Sequence, residues 1–335
     1  MNSIGRIFKL TLFGESHGEF IGISIDGVKP GIDLSIEDFT NDLALRRPNN
    51  EWTTKRKEED EVKIISGLFK GKTTGAALTI LIKNKDLNSS FYEENQNIPR
   101  PSHVDFVSKI KYKGFNDYRG GGIFSGRLTA ALVAAGVVAK KIIKSIYPKL
   151  TIESKVIEVG GLPYPSDEAL NLLNKTYEEG DSLGGIIKTE IKNCPAGLGE
   201  PFFDSFESNL SHLLFSIPGL KAISFGMGIE SVKLKGSDFN DIYIDKEGNT
   251  LTNNCGGING GLTNGNEIYF TCYFRPASSI KKSQKTINLT NGKKAEISFS
   301  GRSDLCYPLR TPVIICACSS IVFLDFIYIN SAIYF

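Results

Sequence analysis

Hydrophobic and polar positions alternate with a period of two in several short segments, and this period is typical of strands with one buried face. Predicted strands near the start of the chain cover residues 6–13, 21–26, 62–69 and 77–82. A second set covers residues 222–232, 267–274 and 295–300. Helical periodicity predicts helices over residues 35–46, 127–146, 166–174 and 206–216. Strands, then helices, then strands again indicate an α+β layered fold rather than a doubly wound parallel sheet.

The last 25 residues, 311–335, carry a single charge at Asp325 and are otherwise apolar or uncharged. The uncharged part before Asp325 is shorter than the roughly 20 residues that a membrane-spanning helix needs. A carboxylate in the middle of a bilayer is also costly. We therefore expect a buried core helix, or a strand followed by a helix, with membrane contact as the alternative.

Composition indicates a soluble globular protein and gives no sign of nucleic-acid binding or secretion. With 41% hydrophobic and 23% charged residues, the 335-residue chain has the composition of a soluble globular protein. A formal net charge of +2 gives no electrostatic reason to expect a nucleic-acid partner. The six cysteines form no C-x-x-C pair, so we expect reduced thiols in a cytoplasmic protein, and no metal-ligand set is predicted. The first residues lack the apolar core and cleavage site of a signal peptide.

Three glycine-rich segments invite comparison with phosphate-binding loops. "GLFKGKTTG" has three residues between its first two glycines where a P-loop needs four, and "FGMGIES" lacks the third glycine of a dinucleotide motif. "RGGGIFSGR" places three glycines before an alanine-rich helix, with Arg119 and Arg127 beside them. Free N–H groups at such a helix start attract an anion. The alternative for this segment is a tight turn that packs closely against a sheet.

Only three histidines occur in the chain. His17 lies in "FGESHG", where the glycines allow backbone and ligand to approach closely. His103 lies in "RPSHVDF" between Arg100 and Asp105, an arrangement suited to proton transfer beside an anion, although such a histidine is often structural. His212 lies on an amphipathic helix without a charged partner close in sequence, which favours a structural role.

Taken together, these motifs resemble those of the chorismate synthase family over essentially the full length of the chain. In the first half the matching segments are "FGESHG", "RRP", "TTKRKEED", "SGLFKGKTTG", "RPSHVD", "DYRGGG" and "SGRLTA". In the second half they are "FSIPGLKAISFG", "TNNCGGINGGLTNG", "RPASSI" and "GRSD". So many blocks in one order are very unusual by chance.

The resemblance implies one domain over residues 1–335, folded as a layered βααβ sandwich and assembled as a homotetramer. It implies a carbon–oxygen lyase that converts 5-enolpyruvylshikimate 3-phosphate into chorismate and phosphate by an anti 1,4-elimination. The implied cofactor is reduced FMN, with no net redox change. The implied partner is a small-molecule substrate, without nucleic acid or membrane.

Site residues carry over from the same motifs. The resemblance implies that His17 assists departure of the phosphate and that His103 protonates or stabilises the reduced flavin. Asp304, with Ser16, would relay the proton removed from the substrate ring. Implied flavin contacts are Ser125, Asn254, Cys255, Gly265, Arg275, Pro276, Ala277, Ser278, Ser279 and Arg302. A substrate with one phosphate and two carboxylates needs several cations, and the candidates are Arg46, Arg47, Arg119, Arg127 and Arg310, with Arg56 and Arg100 in the same motifs.

The chain departs from the family pattern at several of these motifs. Ile123 and Phe124 replace Arg-Ser after the three glycines, Cys255 replaces an alanine, and Arg275 replaces a lysine. Ser303 and Leu305 replace the histidine and proline of "GRHDPC". Trp52 stands where some members have an arginine linked to NADPH, and the segment after Pro312 lacks the expected acidic residue. Both His17 and His103 are retained.

Two other functions are compatible with these departures. A flavin- and substrate-binding homologue with impaired catalysis would explain Ser303 and Leu305. A flavin oxidoreductase would explain the flavin contacts, but it needs a nicotinamide-binding motif, and we find none in the sequence. The source of the reduced flavin is left open.

Overall fold

A computed structural model describes residues 2–48, 51–53, 59–85, 88–301 and 303–334. Its strands are β1 (Ser3–Ile4), β2 (Lys9–Gly14), β3 (Phe20–Asp26), β4 (Val62–Ser66), β5 (Leu68–Phe69), β6 (Lys72–Thr73), β7 (Leu78–Lys83), β8 (Thr151–Val159), β9 (Leu162–Pro163), β10 (Gly185–Lys192), β11 (Leu220–Phe225), β12 (Ile258–Asn259), β13 (Leu262–Thr263), β14 (Ile268–Phe274), β15 (Gln284–Ile287) and β16 (Lys294–Ile297). Its α-helices are α1 (Thr40–Arg46), α2 (Ser90–Glu94), α3 (Asp105–Lys111), α4 (Thr129–Ile146), α5 (Asp167–Glu179), α6 (Phe206–Leu214), α7 (Gly236–Phe239) and α8 (Pro312–Tyr334).

The first sheet is antiparallel, with strand order β1-β2-β3-β7-β4. Alternating isoleucines of β3 and β7 point to one face, and Ile23 lies opposite Ile80 in register. Both side chains are fully buried. This is the arrangement that a period of two predicts when one face of a sheet covers the core.

The second sheet is also antiparallel, with order β11-β14-β10-β8-β9. Its buried face includes Ile187 and Ile191 of β10 and Phe270 of β14. Strand β14 comes late in the chain but lies between β10 and β11. The sheet is therefore completed only by residues that are far apart in sequence.

Two long helices fill the space between the sheets. Helix α4 packs on β3 and β7 of the first sheet, and α8 packs on β8 and β10 of the second, while α4 and α8 pack on each other. A Cβ placed on Gly136 of α4 would lie 2.3 Å from the Cβ of Ala317, so glycine permits the close approach of the two helices. The layer order is sheet, helix, helix, sheet, and the predicted α+β class with a βααβ sandwich is confirmed.

The apolar C-terminal run forms α8, and the prediction of a buried core helix is confirmed. By length and composition α8 is the one helix among the described residues that is apolar enough to cross a membrane, but most of it is buried inside the protein. Asp325 lies near its centre. Its carboxylate oxygens accept hydrogen bonds from the backbone N–H groups of Arg6, Ile7 and Phe8, each with an N–O distance of 2.8 Å. The protein backbone therefore stabilises the one charge in this segment.

Some predicted elements were wrong or missing. The strand predicted over residues 222–232 ends at Phe225, because Gly226 and Gly228 adopt φ of +55° and +53° and a 3₁₀ turn, Gly228–Lys233, follows. The central strands β8 and β10 were not predicted, although both alternate between buried or half-buried and more exposed positions.

Candidate active site

One cleft of about 290 Å³ gathers residues from the ends of many elements. Loops after β2 and β14, the end of α1, and the segments before α3, α4 and α8 all contribute to its wall. The predicted residues that line it are Ser16, His17, Arg46, Arg47, Arg100, His103, Ser125, Arg127, Arg275, Ala277, Ser278, Ser279, Asp304 and Arg310. All four predicted catalytic residues therefore face the same space.

The loop of three glycines lies between the two histidines. A Cβ added to Gly120 would lie 2.7 Å from Nε2 of His17 and 2.8 Å from the hydroxyl of Ser16, so no other residue fits there without displacing them. A Cβ on Gly121 would lie 3.8 Å from Nε2 of His103. The backbone N–H of Ser16 also donates to the carbonyl of Gly122 at 3.2 Å. Glycines in this loop therefore allow the backbone to pack directly against both imidazoles.

His17 is almost completely buried, with 7% of its surface exposed. Its Nδ1 lies 2.9 Å from the hydroxyl of Ser89, and its ring packs edge-on against Tyr92 with centroids 5.3 Å apart. With Nδ1 engaged in this way, Nε2 is the nitrogen directed at the Gly120 surface of the cleft. A histidine held in this manner is suited to donate or accept a proton at a ligand oxygen.

His103 has a different set of partners. Its Nδ1 lies 2.7 Å from a carboxylate oxygen of Asp105 and 3.0 Å from the guanidinium of Arg100. Burial lowers the pKa of His103 below its ordinary value, although the hydrogen bond to Asp105 acts in the opposite direction. Burial acts to raise the pKa of Asp105, but hydrogen bonds from Arg100 and His103 outweigh it and hold that pKa far below its usual range. The ring is therefore neutral at pH 7, with Nδ1–H donating to Asp105 and Nε2 facing Gly121.

Three arginines converge on a single buried carboxylate. Asp60 is paired with Arg127, and its other oxygen lies 3.6 Å from Arg46 and 3.9 Å from Arg47. Burial acts to raise the pKa of Asp60, but the positive charges of Arg46 and Arg127 outweigh it and lower the pKa. Asp60 has a φ of +50°, a strained value for a residue other than glycine and one found at functional sites. Three cations against one anion leave this wall of the cleft with a net charge of about +2.

Asp304 forms a two-point ion pair with Arg310. Nε of Arg310 lies 3.1 Å from one carboxylate oxygen, and a terminal nitrogen lies 2.6 Å from the other. Arg310 also donates to the carbonyl of Arg46 at 3.2 Å. The pair therefore joins the segment before α8 to the arginine cluster, and the planar guanidinium fixes the orientation of the carboxylate.

Some predicted contacts lie elsewhere. Within the described part of the chain, the predicted residues that do not line this cleft are Arg119, Asn254, Cys255, Gly265 and Pro276. Arg119 instead donates to both carboxylate oxygens of Asp117, at 2.9 and 2.8 Å. The backbone N–H groups of Asn254 and Cys255 donate to Asp241. Arg56 and Arg302 lie outside the described residues.

Sequence reasoning missed several residues that complete the site. Asn84 accepts from Arg127 at 2.9 Å and donates to the carbonyls of Glu15 and Gly18, which bracket His17. Ser89 and Tyr92 hold His17 from the other side. Asp60 ends the quoted block "TTKRKEED" and could have been suspected as the carboxylate for the nearby arginines. Asn84 and Ser89 give no comparable signal, because their partners are 43 or more residues away.

Comparison with known proteins gives one consistent result. A family model described as chorismate synthase matches residues 8–328. The chain is 47% identical over 330 residues to the chorismate synthase of Chitinophaga pinensis, covering 98% of this chain and 97% of the relative. It is 42% identical to that of Sulfurisphaera tokodaii, covering 97% and 89%, and 39% identical to that of Thermococcus gammatolerans, covering 92% and 93%. A crystal structure of a chorismate synthase superimposes with a TM-score of 0.75 at 23% identity, covering 98% of this chain and 93% of the other, which supports the fold.

Proposed function

The chain belongs to the chorismate synthase family, and we propose that the cleft described above eliminates phosphate from 5-enolpyruvylshikimate 3-phosphate with reduced FMN as cofactor. Membership of the family makes the protein a carbon–oxygen lyase of aromatic amino-acid biosynthesis. The observation that carries the proposal is the joint presence of two histidines and an arginine cluster in one cleft. The glycine loop between the histidines packs against both of them and so connects the two rings.

Residues of the cleft fit a flavin nucleotide. Gly120 lines the cleft and, because it has no side chain, lets His17 and Ser16 pack directly against the backbone beside the space that the cofactor would occupy. The loop Arg275, Pro276, Ala277, Ser278 and Ser279 is fixed by Ser182, Arg100 and Tyr307, which donate to Ala277, Ser279 and Arg275 respectively. This loop, with Ser125, would hold the cofactor. The chemistry that reduced FMN supplies when bound is transient electron donation to the allylic phosphate.

The arginine cluster would bind the substrate. A phosphate and two carboxylates need cations that are already in place, and Arg46, Arg47 and Arg127 are held around Asp60. Because Arg46 and Arg127 are buried and held by Asp60 before the ligand arrives, little of their side-chain entropy is lost on binding, while Arg47 lies at the more exposed edge of the cluster. Burial of the cluster strengthens its attraction for an anion relative to the same charges in water.

His17 would protonate the departing phosphate. Its Nδ1 contact with Ser89 fixes the ring, its Nε2 lies beside Gly120, and the ring lines the same cleft as the arginines. A phosphate leaves more easily when a proton neutralises part of its developing charge. His103, neutral beside Asp105, would hold or accept a proton on the opposite side of the glycine loop.

Asp304 and Ser16 would move the ring proton away from the cofactor. Both line the cleft, and Arg310 fixes the carboxylate of Asp304. Ser303 is the neighbour that replaces the family histidine, and it also lines the cleft. We expect Ser303→Ala to be mild and Asp304→Asn to be severe, because only the second change removes the carboxylate.

Assembly and location belong to the same proposal. We propose a homotetramer, as the resemblance to the family implies. A long arm after β11 supports self-association because it leaves large apolar side chains exposed, among them Ile229, Val232, Ile242, Tyr243 and Ile244. Asn254 and Cys255 lie at the base of this arm, away from the cleft of their own chain, so a second copy could offer them to a neighbouring cleft. Six free cysteines support a cytoplasmic location.

The test is conversion of 5-enolpyruvylshikimate 3-phosphate to chorismate without oxygen, with reduced FMN present, and with product identified chromatographically. We expect chorismate in amounts that exceed the flavin many times. Tight binding of flavin and substrate without product would instead support an impaired homologue. Consumption of NADPH without release of phosphate would support an oxidoreductase.

A further inference from the structure

The only tryptophan of the chain, Trp52, packs against a small hydrophobic cluster that includes Leu305, the residue after Asp304. The cluster consists of the buried residues Val159, Leu173, Leu305 and Cys306. The indole N–H of Trp52 donates to the side-chain oxygen of Asn174 in α5 at 2.9 Å. Trp52 is thus fixed by packing and by a directional hydrogen bond at the same time.

The backbone carbonyl of Trp52 holds the segment that carries Asp304. It accepts two consecutive N–H groups, from Leu305 at 3.1 Å and from Cys306 at 3.2 Å. The carbonyl of Leu305 in turn accepts from the N–H of Leu183 at 2.9 Å. The residue immediately after Asp304 is therefore held on both sides.

The bond from Leu305 depends on the residue type at that position. Proline has no N–H, so a chain with proline there could not make this contact with the carbonyl of Trp52. Leu305 replaces the proline of the family pattern, and it also contributes its side chain to the cluster around Trp52. The backbone hydrogen bond therefore requires a residue other than proline at position 305, and the packing of the two side chains in one cluster adds to it.

We propose that Trp52 is a positioning residue that sets the place of Asp304 in the cleft. The connection runs from Asn174 through Trp52 to the backbone at Leu305, and then through Asp304 to Arg310 and the carbonyl of Arg46. The inference rests on the proposed role of Asp304 in catalysis. Trp52 itself touches no reacting group in this account.

Loss of the indole should act mainly on the chemical step. A displacement of about 1 Å of a catalytic group can cost up to about 100-fold in rate. Trp52→Ala leaves the carbonyl but removes its two anchors, so we expect kcat to fall about tenfold. KM for the substrate should change much less, because Arg46, Arg47 and Arg127 keep their contacts with Asp60.

A matched control separates positioning from stability. Leu170 packs against the same cluster but makes no hydrogen bond to residues 304–306, so Leu170→Ala should lower the melting temperature with kcat nearly unchanged. Trp52→Phe keeps most of the packing and should recover most of the lost kcat. Equal kcat values for folded Trp52→Ala and folded Leu170→Ala would overturn the proposal.

A second readout does not depend on catalysis. Since Trp52 is the sole tryptophan, the emission of the protein at tryptophan wavelengths reports on this contact. Asp304→Asn weakens the pair with Arg310, and the change should reach Trp52 as a shift of its emission maximum. An unchanged emission maximum in Asp304→Asn would overturn the proposed connection between Asp304 and Trp52. If Asp304→Asn turned over normally but shifted the emission, the catalytic role of Asp304 would be wrong. The structural connection between Asp304 and Trp52 would still be supported.

Discussion

At the scale of single residues, the two histidines of the cleft differ in their hydrogen-bond partners. His17 contacts a neutral hydroxyl, that of Ser89, whereas His103 contacts the carboxylate of Asp105. A carboxylate fixes the tautomer of its histidine and moderates the effect of burial on the pKa. This difference supports separate roles for the two rings on either side of the glycine loop.

Replacing His17 tests the first of these roles. We expect His17→Ala to slow phosphate release by about 10²-fold or more, the usual scale for loss of a positioned general acid. Flavin binding should be nearly unchanged, because the loop from Arg275 to Ser279 is untouched. Rapid mixing with detection of phosphate measures the step. His212→Ala is the matched control, since His212 is exposed on α6 and should have no effect.

If His17→Ala released phosphate as fast as the His212→Ala control, the general-acid role would be wrong. The cleft would then rely on its arginines alone to stabilise the departing phosphate.

The environment of His103 gives a prediction about pH. Its pKa lies below the ordinary value, so the free protein carries a neutral ring at pH 7. An anionic ligand bound nearby favours the protonated ring and raises this pKa, so binding should take up protons and become tighter as the pH falls from about 7.5 to 6. Calorimetry in buffers of different ionisation enthalpy measures the uptake. Identical proton uptake by the parent and His103→Ala would exclude His103 as its source.

The residues that sequence alone could predict share a feature: each lies in a compact motif with a rare or charged residue. His17, His103 and most of the arginines were found in this way, and all but Arg119 among the described substrate candidates line the cleft. Arg119 could not be judged without coordinates, because its two-point pair with Asp117 is visible only in three dimensions. Asn84 was missed because amide side chains give little signal by themselves.

At the scale of elements, α8 explains why the end of the chain is apolar on nearly every face. It is covered by α4 on one side and by the second sheet on the other, so few positions reach solvent. Its central Asp325 is compatible with this apolar packing because its carboxylate is hydrogen-bonded to the backbone. The carboxylate accepts three backbone N–H groups from the segment before β2 and so attaches the N-terminal segment to the core.

Removal of this carboxylate should destabilise the fold. Asp325→Ala leaves the N–H groups of Arg6, Ile7 and Phe8 without their acceptor, and we expect a loss of about 2–4 kcal/mol in the free energy of unfolding. Urea unfolding at fixed protein concentration measures it. Asp245→Ala, which removes an acceptor from an exposed turn, is the control and should cost less than about 1 kcal/mol. Equal losses for both variants would contradict this account of α8.

Element prediction succeeded where the pattern is local and failed where pairing is distant. The helix predicted over residues 127–146 is present, beginning with a 3₁₀ turn and continuing as α4. The second sheet was only partly predicted: β8 and β10 were overlooked although both alternate, and the pairing of β10 with β14 across some 80 residues leaves no local signal in the sequence. The strand predicted over residues 222–232 was too long because hydrophobic periodicity does not reveal the positive φ of Gly226 and Gly228, where β11 ends.

At the scale of the whole molecule, one hydrophobic cluster includes residues of both sheets and of α4 and α8. This continuity supports the proposal that residues 1–335 form a single domain. The layered fold brings the ends of distant elements to one cleft, which explains how residues from Ser16 to Arg310 meet. The fold therefore acts as a rigid frame for a site built mainly from loops.

Assembly is the property of the whole molecule that is most open to test. We expect light scattering to give the mass of a tetramer at micromolar concentration. Ile244→Lys places a charge on the exposed apolar arm and should reduce the assembly, whereas Ile36→Lys, at a similarly exposed isoleucine of another segment, should not. A stable monomer of the parent chain would exclude the tetramer.

The central claim is that this cleft eliminates phosphate with the help of reduced flavin. The most direct measurement is anaerobic phosphate release from 5-enolpyruvylshikimate 3-phosphate in three parallel samples, with reduced FMN, with oxidised FMN and NADPH, and without flavin. We expect sustained release only in the first, with many phosphates per flavin and no net oxidation of the cofactor. Equal release in the sample without flavin would contradict the claim, and sustained release with oxidised FMN and NADPH would show that the protein reduces its own cofactor.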